Sequence, residues 1–519
     1  MAEPADRWSA YTDLSPTVAS GWRLDVVTPP SRLGGSNGMT IGPDGRLYVT
    51  QVFFSQITAI EVETGVHDVF SPLGSGISGP DDAIFGADGT CFATEPLYGR
   101  VTARQPDGAY RVVAADLPAA NGCTMDHARQ RLFIDEFRPG GRLLEVDPNG
   151  AGPPRILLED LDGPNAPAMG PDGKLYFPQV FANQVWSYDL ETGEARLAVD
   201  DLARPTAVKF DSRGRLVTSE AAGGRITAID LATGAREVLA DVPLGIDNVS
   251  VGADDRIFVS HYVDGRVAEE TAGRQRVLSA PGLLGPHGLA VNADGLLLFA
   301  DGLSVGEVLD GEHHRRIRLL VDLPTLALGV VPFGDGLAVI GAAGEVLRYG
   351  RAGGEPDVLA EGLVDPTTVR VVDDRLLVAE RSAGRISAVD RDGRVSPVLE
   401  GLSGAASVDV LDGGYAITAG AALLLIDADG NERRVEGFGD AQGVAVVDGT
   451  VLVADAERHE LVAVDVAAGR RDVVVTGAPV GLPVPGAVPA AFSPLTADGT
   501  GGCYVGCNGD GSIRRLTRT

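Results

Sequence analysis

Lysine is nearly missing from this chain: Lys174 and Lys209 are its only two in 519 residues. A Schiff-base mechanism therefore has almost no nucleophile to draw on. Cysteine is also scarce, and four in a chain of this length make no disulfide framework. Cys503 and Cys507 stand four apart with no second Cys or His pair beside them, a spacing that does not support zinc. No basic patch occurs, and 72 acidic against 43 basic residues give a net charge of −29, which argues against a nucleic-acid partner. The acidity reads instead as a soluble, self-repelling surface. No run approaches the roughly eighteen apolar residues of a membrane span. The opening MAEPADRWSAYTDLSPTVASGW has no apolar core of signal-peptide length. The reading is a cytoplasmic protein with no membrane partner.

Turn residues are plentiful, with 69 Gly and 32 Pro, while aromatics make up only 5%. Many turns and few helix-length periodic stretches point to an all-β chain. The clearest unit runs from Gly163 to Ala203. It holds four alternating runs, Ala166–Met169, Lys174–Pro178, Gln184–Tyr188 and Ala195–Val199, separated by Pro171-Asp172-Gly173, a Phe-Ala-Asn bend and Glu191-Thr192-Gly193. Asp-Gly between alternating apolar runs is a strong hairpin signal. One four-stranded sheet cannot bury both faces alone, so it must stack on copies of itself.

Copies of the turn and second strand recur as GPDGRLYVTQ, GADGTCFATE, HARQRLFIDE, GPDGKLYFPQ, DSRGRLVTSE and GADDRIFVSH, then more loosely through to GTGGCYVGC. About twelve such units at a period of about forty residues are the signature of β-propeller blades. The economical arrangement is two six-bladed propellers. Residues 1–34 would hold an irregular leader and a closing strand, 35–284 the first propeller and 285–519 the second. Gly21–Val27 resembles an outermost strand, and the unit at Cys503–Leu516 stops short of one. The N-terminal strand is therefore expected to complete the last blade. Leu482–Val488, the most Pro-rich stretch, reads as a long loop.

Two positions per blade should converge on the channel mouth. The first, where the inner strand begins, reads Asn37, Asp81, Asn121, Asn165, Thr206 and Asp247 in the first half. In the second half it reads His287, Leu328, Thr367, Ala406 and Gln442. A ring of amide and carboxylate oxygens suits a hard divalent cation. We assign Asn37, Asp81, Asn121, Asn165 and Asp247 as candidate metal ligands, with Ca²⁺ or Mg²⁺ first and Zn²⁺ or Mn²⁺ as alternatives. The second position, closing the second strand, reads Gln51, Glu95, Glu136, Gln179, Glu220 and His261. Of these, Glu95, Glu136, Glu220 and His261 are the acid–base candidates, and Gln51 and Gln179 join Phe53, Tyr98 and Tyr262 as candidate substrate contacts. Phe54, Phe137 and Phe181 add to the aromatic walls suited to a partly apolar small molecule. His287 reads as a strand-entry residue, and His313-His314 as exposed.

The pieces Ser36-Asn37-Gly38-Met39, Pro80-Asp81-Asp82, Asn121-Gly122, Pro164-Asn165 and Ile246-Asp247-Asn248 resemble the six-bladed propeller superfamily of gluconolactonase, senescence marker protein and luciferin-regenerating enzyme. The chain is also similar to virginiamycin B lyase and NHL-type repeats. The resemblance implies a divalent cation held in the channel, polarising a lactone or related carbonyl while an acidic residue handles protons. It covers the first six blades well and the last six only as a repeat. The function it implies is a metal-assisted, lactonase-like hydrolase acting on a small molecule. A lyase, isomerase or cyclase of a specialised metabolite is one alternative, and a non-catalytic scaffold another. A scaffold has no need of a polar channel in one half only, so the asymmetry favours the enzyme.

Overall fold

A computed structural model describes residues 15–271, 273–350, 353–481 and 492–519. The described residues form an all-β propeller fold built of twelve antiparallel sheets in chain order. Sheets 1 to 6 span 39–71, 83–114, 120–162, 168–199, 205–241 and 249–279. Sheets 7 to 12 span 288–318, 327–360, 366–399, 405–436, 441–476 and 495–518. Two compact units result. One is Arg32–Pro281, and the other is Gly282–Thr519 with the N-terminal segment ending at Ser31.

Local chemistry sets each sheet. In sheet 1 the Gly45 N–H donates to Gly42 O and the Arg46 N–H to Asp44 Oδ1, closing the turn between first and second strands. Gly45 there has φ of 82°, a conformation a side chain resists. The same Gly-x-Asp-Gly turn recurs at Asp88 and Asp172. Between third and fourth strands an Asp takes over: Asp189 Oδ1 accepts the N–H groups of Glu191 and Thr192.

Within the first unit the inner strands touch in a closed cycle, sheet 1 to 2 and onward to 6 and back to 1. Apolar side chains fill the space between neighbouring sheets. Tyr48, Ile57, Phe85 and Cys91 join sheets 1 and 2, and Met39, Leu47, Val49, Phe258 and Val267 join sheets 6 and 1. A hydroxyl ladder pins the inner strand starts. Thr50 Oγ1 donates to Asp81 O, Thr94 Oγ1 to Asn121 O, Ser219 Oγ to Asp247 O, and Ser260 Oγ to Asn37 O. Each hydroxyl stands at or next to the end of a second strand and holds the backbone where the neighbouring inner strand begins.

The second unit has the same cyclic order of inner strands, from sheet 7 round to sheet 12. Its last sheet takes its outer strand from the N-terminal segment: Trp22–Thr28 pairs antiparallel with Ser512–Arg518. The expected irregular leader is partly ordered, because Thr17 and Val18 pair with Thr476 and Val475 as a fifth strand of sheet 11. The Pro-rich loop expected at 482–488 lies outside the described residues. All four cysteines are buried and unpaired. No described helix is long and apolar enough to cross a membrane.

Candidate active site in the first unit

The second-strand ends are a structural clamp. Glu95 Oε2 accepts the Ser78 N–H at 3.0 Å and both guanidinium donors of Arg100 at 2.9 and 2.7 Å. Glu220 accepts the Ala203 N–H at 2.8 Å, two donors of Arg225 and the Thr227 hydroxyl. Glu136 is held by Arg138 and Arg142. All three are fully buried. Gln51 and Gln179 use the same register, their Oε1 atoms accepting the N–H groups of Gly34 and Asp162. In the second unit Glu380 repeats the arrangement with Val364 N–H, Arg385 and Ser387.

The three carboxylates expected to act as acid or base, Glu95, Glu136 and Glu220, are thus each paired with arginine in the fold. Glu95 and Glu220 fasten the entry loop of their own sheet to its third strand, Glu136 is tied to Arg138 and Arg142, and Glu95 Oε1 is left buried without a hydrogen-bond partner. Arg225 and Thr227 outweigh burial and hold the Glu220 carboxyl below the usual range, the reverse of a base poised near neutrality. His261 stands in the same register, and its side chain is fully buried. Gln51, Gln179 and Tyr262, the candidate substrate contacts, are buried too. Phe53 packs over Gly35 at the mouth, and Tyr98 is exposed under Arg100.

The inner-strand starts behave differently. Asn37, Asn121, Asn165 and Thr206 are buried, while Asp81 and Asp247 keep part of their surface accessible. Asn37 Nδ2 donates to Asp81 Oδ1 at 3.3 Å, which ties sheets 1 and 2 at the mouth. Asn121 Oδ1 is buried without a hydrogen-bond partner. Burial first, and then repulsion from Asp247, Asp82 and Asp135, pushes the Asp81 carboxyl well up. Burial and the neighbouring Asp82 push Asp247 to about 7.

Three residues that sequence reasoning passed over lie behind this mouth. Asp82 accepts Ala83 N–H at 2.9 Å and Cys123 N–H at 3.0 Å, and burial raises it to about 6. Asp135 stands where sheets 1, 2, 5 and 6 carry the ladder hydroxyl. Its Oδ1 accepts Gly122 N–H at 2.9 Å, its Oδ2 is buried without a partner, and burial drives its carboxyl well up. Lys209, from sheet 5, offsets part of the charge on both. The signals were present: Asp82 follows Asp81 directly, Asp135 breaks a Thr/Ser repeat position, and Lys209 is one of two lysines.

The donor set fits a hard cation in kind. It is all oxygen, it includes one orphaned amide oxygen, and its carboxylates repel one another in the absence of a counter-charge. No three His, Cys, Asp or Glu among the described residues are grouped to hold a metal, so asparagine oxygens would have to complete the shell. The mouth has no His or Cys at the inner-strand starts, which disfavours Zn²⁺.

In the second unit the equivalent channel is filled differently. Arg370, at the inner-strand register of Lys209, donates to the carbonyls of Val444 and Leu495. His287 is buried at its strand entry, as the sequence suggests.

A gluconolactonase is a sequence relative of this chain. The Zymomonas mobilis protein of that name is 26% identical over 162 residues, covering 27% of this chain and 46% of the relative. The chain thus spans about half the length of the curated relative it matches. No family model matches. Among solved structures, the virginiamycin B lyase of Staphylococcus aureus is 17% identical at a TM-score of 0.40, covering 54% of this chain and 96% of that one. The calcium-binding protein regucalcin of Agrobacterium tumefaciens is 19% identical at a TM-score of 0.37, covering 46% and 85%.

Proposed function

We propose that the first unit is a cation-dependent hydrolase of lactone-type small molecules. The observation that carries the reading is the mouth itself: Asp81 and Asp247 repel each other and hold protons too tightly for exposed carboxylates, beside an unpartnered Asn121 oxygen. Such a set is poorly satisfied by the protein alone. The gluconolactonase similarity supplies the reaction class.

Asp81, with Asn37, Asn121 and Asn165, would hold the cation, which supplies Lewis-acid polarisation of the substrate carbonyl when bound. Asp247 takes the proton of the attacking water and returns it to the ring oxygen as the acyl C–O bond breaks, giving the hydroxy acid. Water supplies the remaining atoms, so no other reactant is required. Asp82 and Asp135 are close enough to Lys209 for its charge to offset part of theirs. The hydroxyl ladder keeps four of the oxygen-bearing starts, Asn37, Asp81, Asn121 and Asp247, in register, the preorganisation that catalysis requires.

The test is hydrolysis of a panel of γ- and δ-lactones by the full chain, with Ca²⁺ and with EDTA, alongside calcium calorimetry. Asp247→Asn should abolish turnover yet retain Ca²⁺ binding, and Asn121→Ala should weaken Ca²⁺ binding. Hydrolysis indifferent to EDTA and to Asp247→Asn would sink the reading.

A further inference from the structure

Two residues before each inner-strand start, the first unit requires a left-handed backbone. The six residues there are Gly35, Gly79, Ala119, Gly163, Arg204 and Gly245, with φ of 77°, 57°, 58°, 68°, 56° and 86°. Four are glycine, as that conformation favours, and Ala119 and Arg204 carry a Cβ there. Sheet 5 alone places a large side chain there. The five other sheets show that the entry loop folds without one, so Arg204 holds a strained position that the fold does not ask for.

Its surroundings say what the arginine faces. The guanidinium lies over the Phe181 ring at 5.7 Å, and Phe181 in turn lies against Phe137, ring centroids 5.3 Å apart. Phe181 packs directly on Gly163, two residues before Asn165. The Phe137 N–H donates to Ala119 O and the Ala221 N–H to Arg204 O, so all three side chains sit on the rim of the same mouth. Arg204 is half-buried, and its guanidinium makes no hydrogen bond or ion pair with a described residue.

The rim is polarised as a result. Sheets 6, 1 and 2 contribute Asp247, Asn37 and Asp81, whereas sheets 3, 4 and 5 contribute Asn121, Asn165 and Thr206 under Phe137, Phe181 and Arg204. We propose that Arg204 is an anion-recognition residue and that the substrate carries a carboxylate on an apolar or aromatic body, apart from the carbonyl at which it reacts. The planar guanidinium matches a carboxylate with two parallel hydrogen bonds, and a phenylalanine face suits the attached body. A carboxylate held at Arg204 leaves the reacting carbonyl to face Asp81 and Asp247 across the mouth. This rests on the lactone-hydrolase reading for its chemistry but not for its binding.

The probes are coumarin-3-carboxylate, a planar lactone bearing a carboxylate, and coumarin-3-carboxamide, its neutral match. Binding to the full chain is read by calorimetry and ring opening by absorbance. The wild type should bind the acid at least tenfold tighter than the amide. Arg204→Gln and Arg204→Gly should each erase that preference, and Arg204→Lys should keep only part of it. Arg204→Gly relieves the strained φ, so its melting temperature should match or exceed wild type, which an arginine serving stability would not allow. Failure of both probes to bind, equal affinity for the two, or an acid preference surviving Arg204→Gln would overturn the proposal. Arginine-dependent acid binding without ring opening would count against the hydrolase reading alone. Ring opening without an acid preference would count against Arg204 alone.

Discussion

Glu220 and Glu380 are twins, and the pair separates structural from chemical roles. Glu220 accepts from Ala203 N–H, Arg225 and Thr227; Glu380 accepts from Val364 N–H, Arg385 and Ser387. Both carboxylates are fully buried, and both guanidinium partners are partly exposed. Replacing Glu220 by Gln keeps one acceptor and puts an NH₂ group where the other stood. The Ala203 N–H or the arginine then loses its partner, an orphaned buried donor costing about 1–3 kcal/mol. The lost ionic component adds less than about 1 kcal/mol because the arginine is solvated. A net loss of about 2 kcal/mol corresponds to about 4–8 °C in melting temperature for a unit of this size. Glu380→Gln should cost the same. Calorimetry of both variants, with lactone hydrolysis measured at 25 °C, makes the comparison. The expected result is equal destabilisation and, for both, turnover within threefold of wild type. A loss of turnover by orders of magnitude in Glu220→Gln but not in Glu380→Gln would refute the clamp and restore Glu220 as a base.

Further outcomes follow from the same geometry. Carboxyls raised in the folded state favour folding below their unfolded value and lose that contribution as pH climbs through the folded one. In EDTA, Asp82 and Asp247, at about 6 and about 7, should therefore make stability fall between about pH 4 and pH 7. Asp247→Asn should flatten that fall in a thermal-melt series, and an unchanged slope would contradict the assignment. Arg370→Met should lower stability by about 2 kcal/mol through the uncovered carbonyls of Val444 and Leu495. Lactone hydrolysis by that variant should match wild type, and any large loss would place function in the second unit. A chain lacking residues 1–31 loses the strand Trp22–Thr28 and bares the edge at Ser512–Arg518. It should aggregate on light scattering; a monodisperse product would show the closure to be dispensable.

Fold class was legible because the period was. An Asp-Gly turn needs a left-handed residue at one point, and its repetition at Asp44, Asp88 and Asp172 marks the sheets in the sequence itself. The strand break in Cys503–Leu516 likewise announced the partner that Trp22–Thr28 supplies. Residue type at the inner-strand starts was legible too, since a register can be counted along a chain. What counting could not reveal was partnership. Glu95, Glu136 and Glu220 looked like channel carboxylates until the fold set an arginine against each, because Arg100, Arg142 and Arg225 lie one hairpin away and only strand pairing brings them back. Asp82, Asp135 and Lys209 come from sheets 2, 3 and 5, and their mutual influence exists only because the ring closes. The strain at Arg204 is a torsion, visible only once six entry loops are compared in space. The sequence by itself therefore determined which chemical groups stand at each repeat position. Tertiary structure decided which are spent on one another and which are left to meet a ligand, because burial and pairing are properties of neighbours that the chain order does not contain.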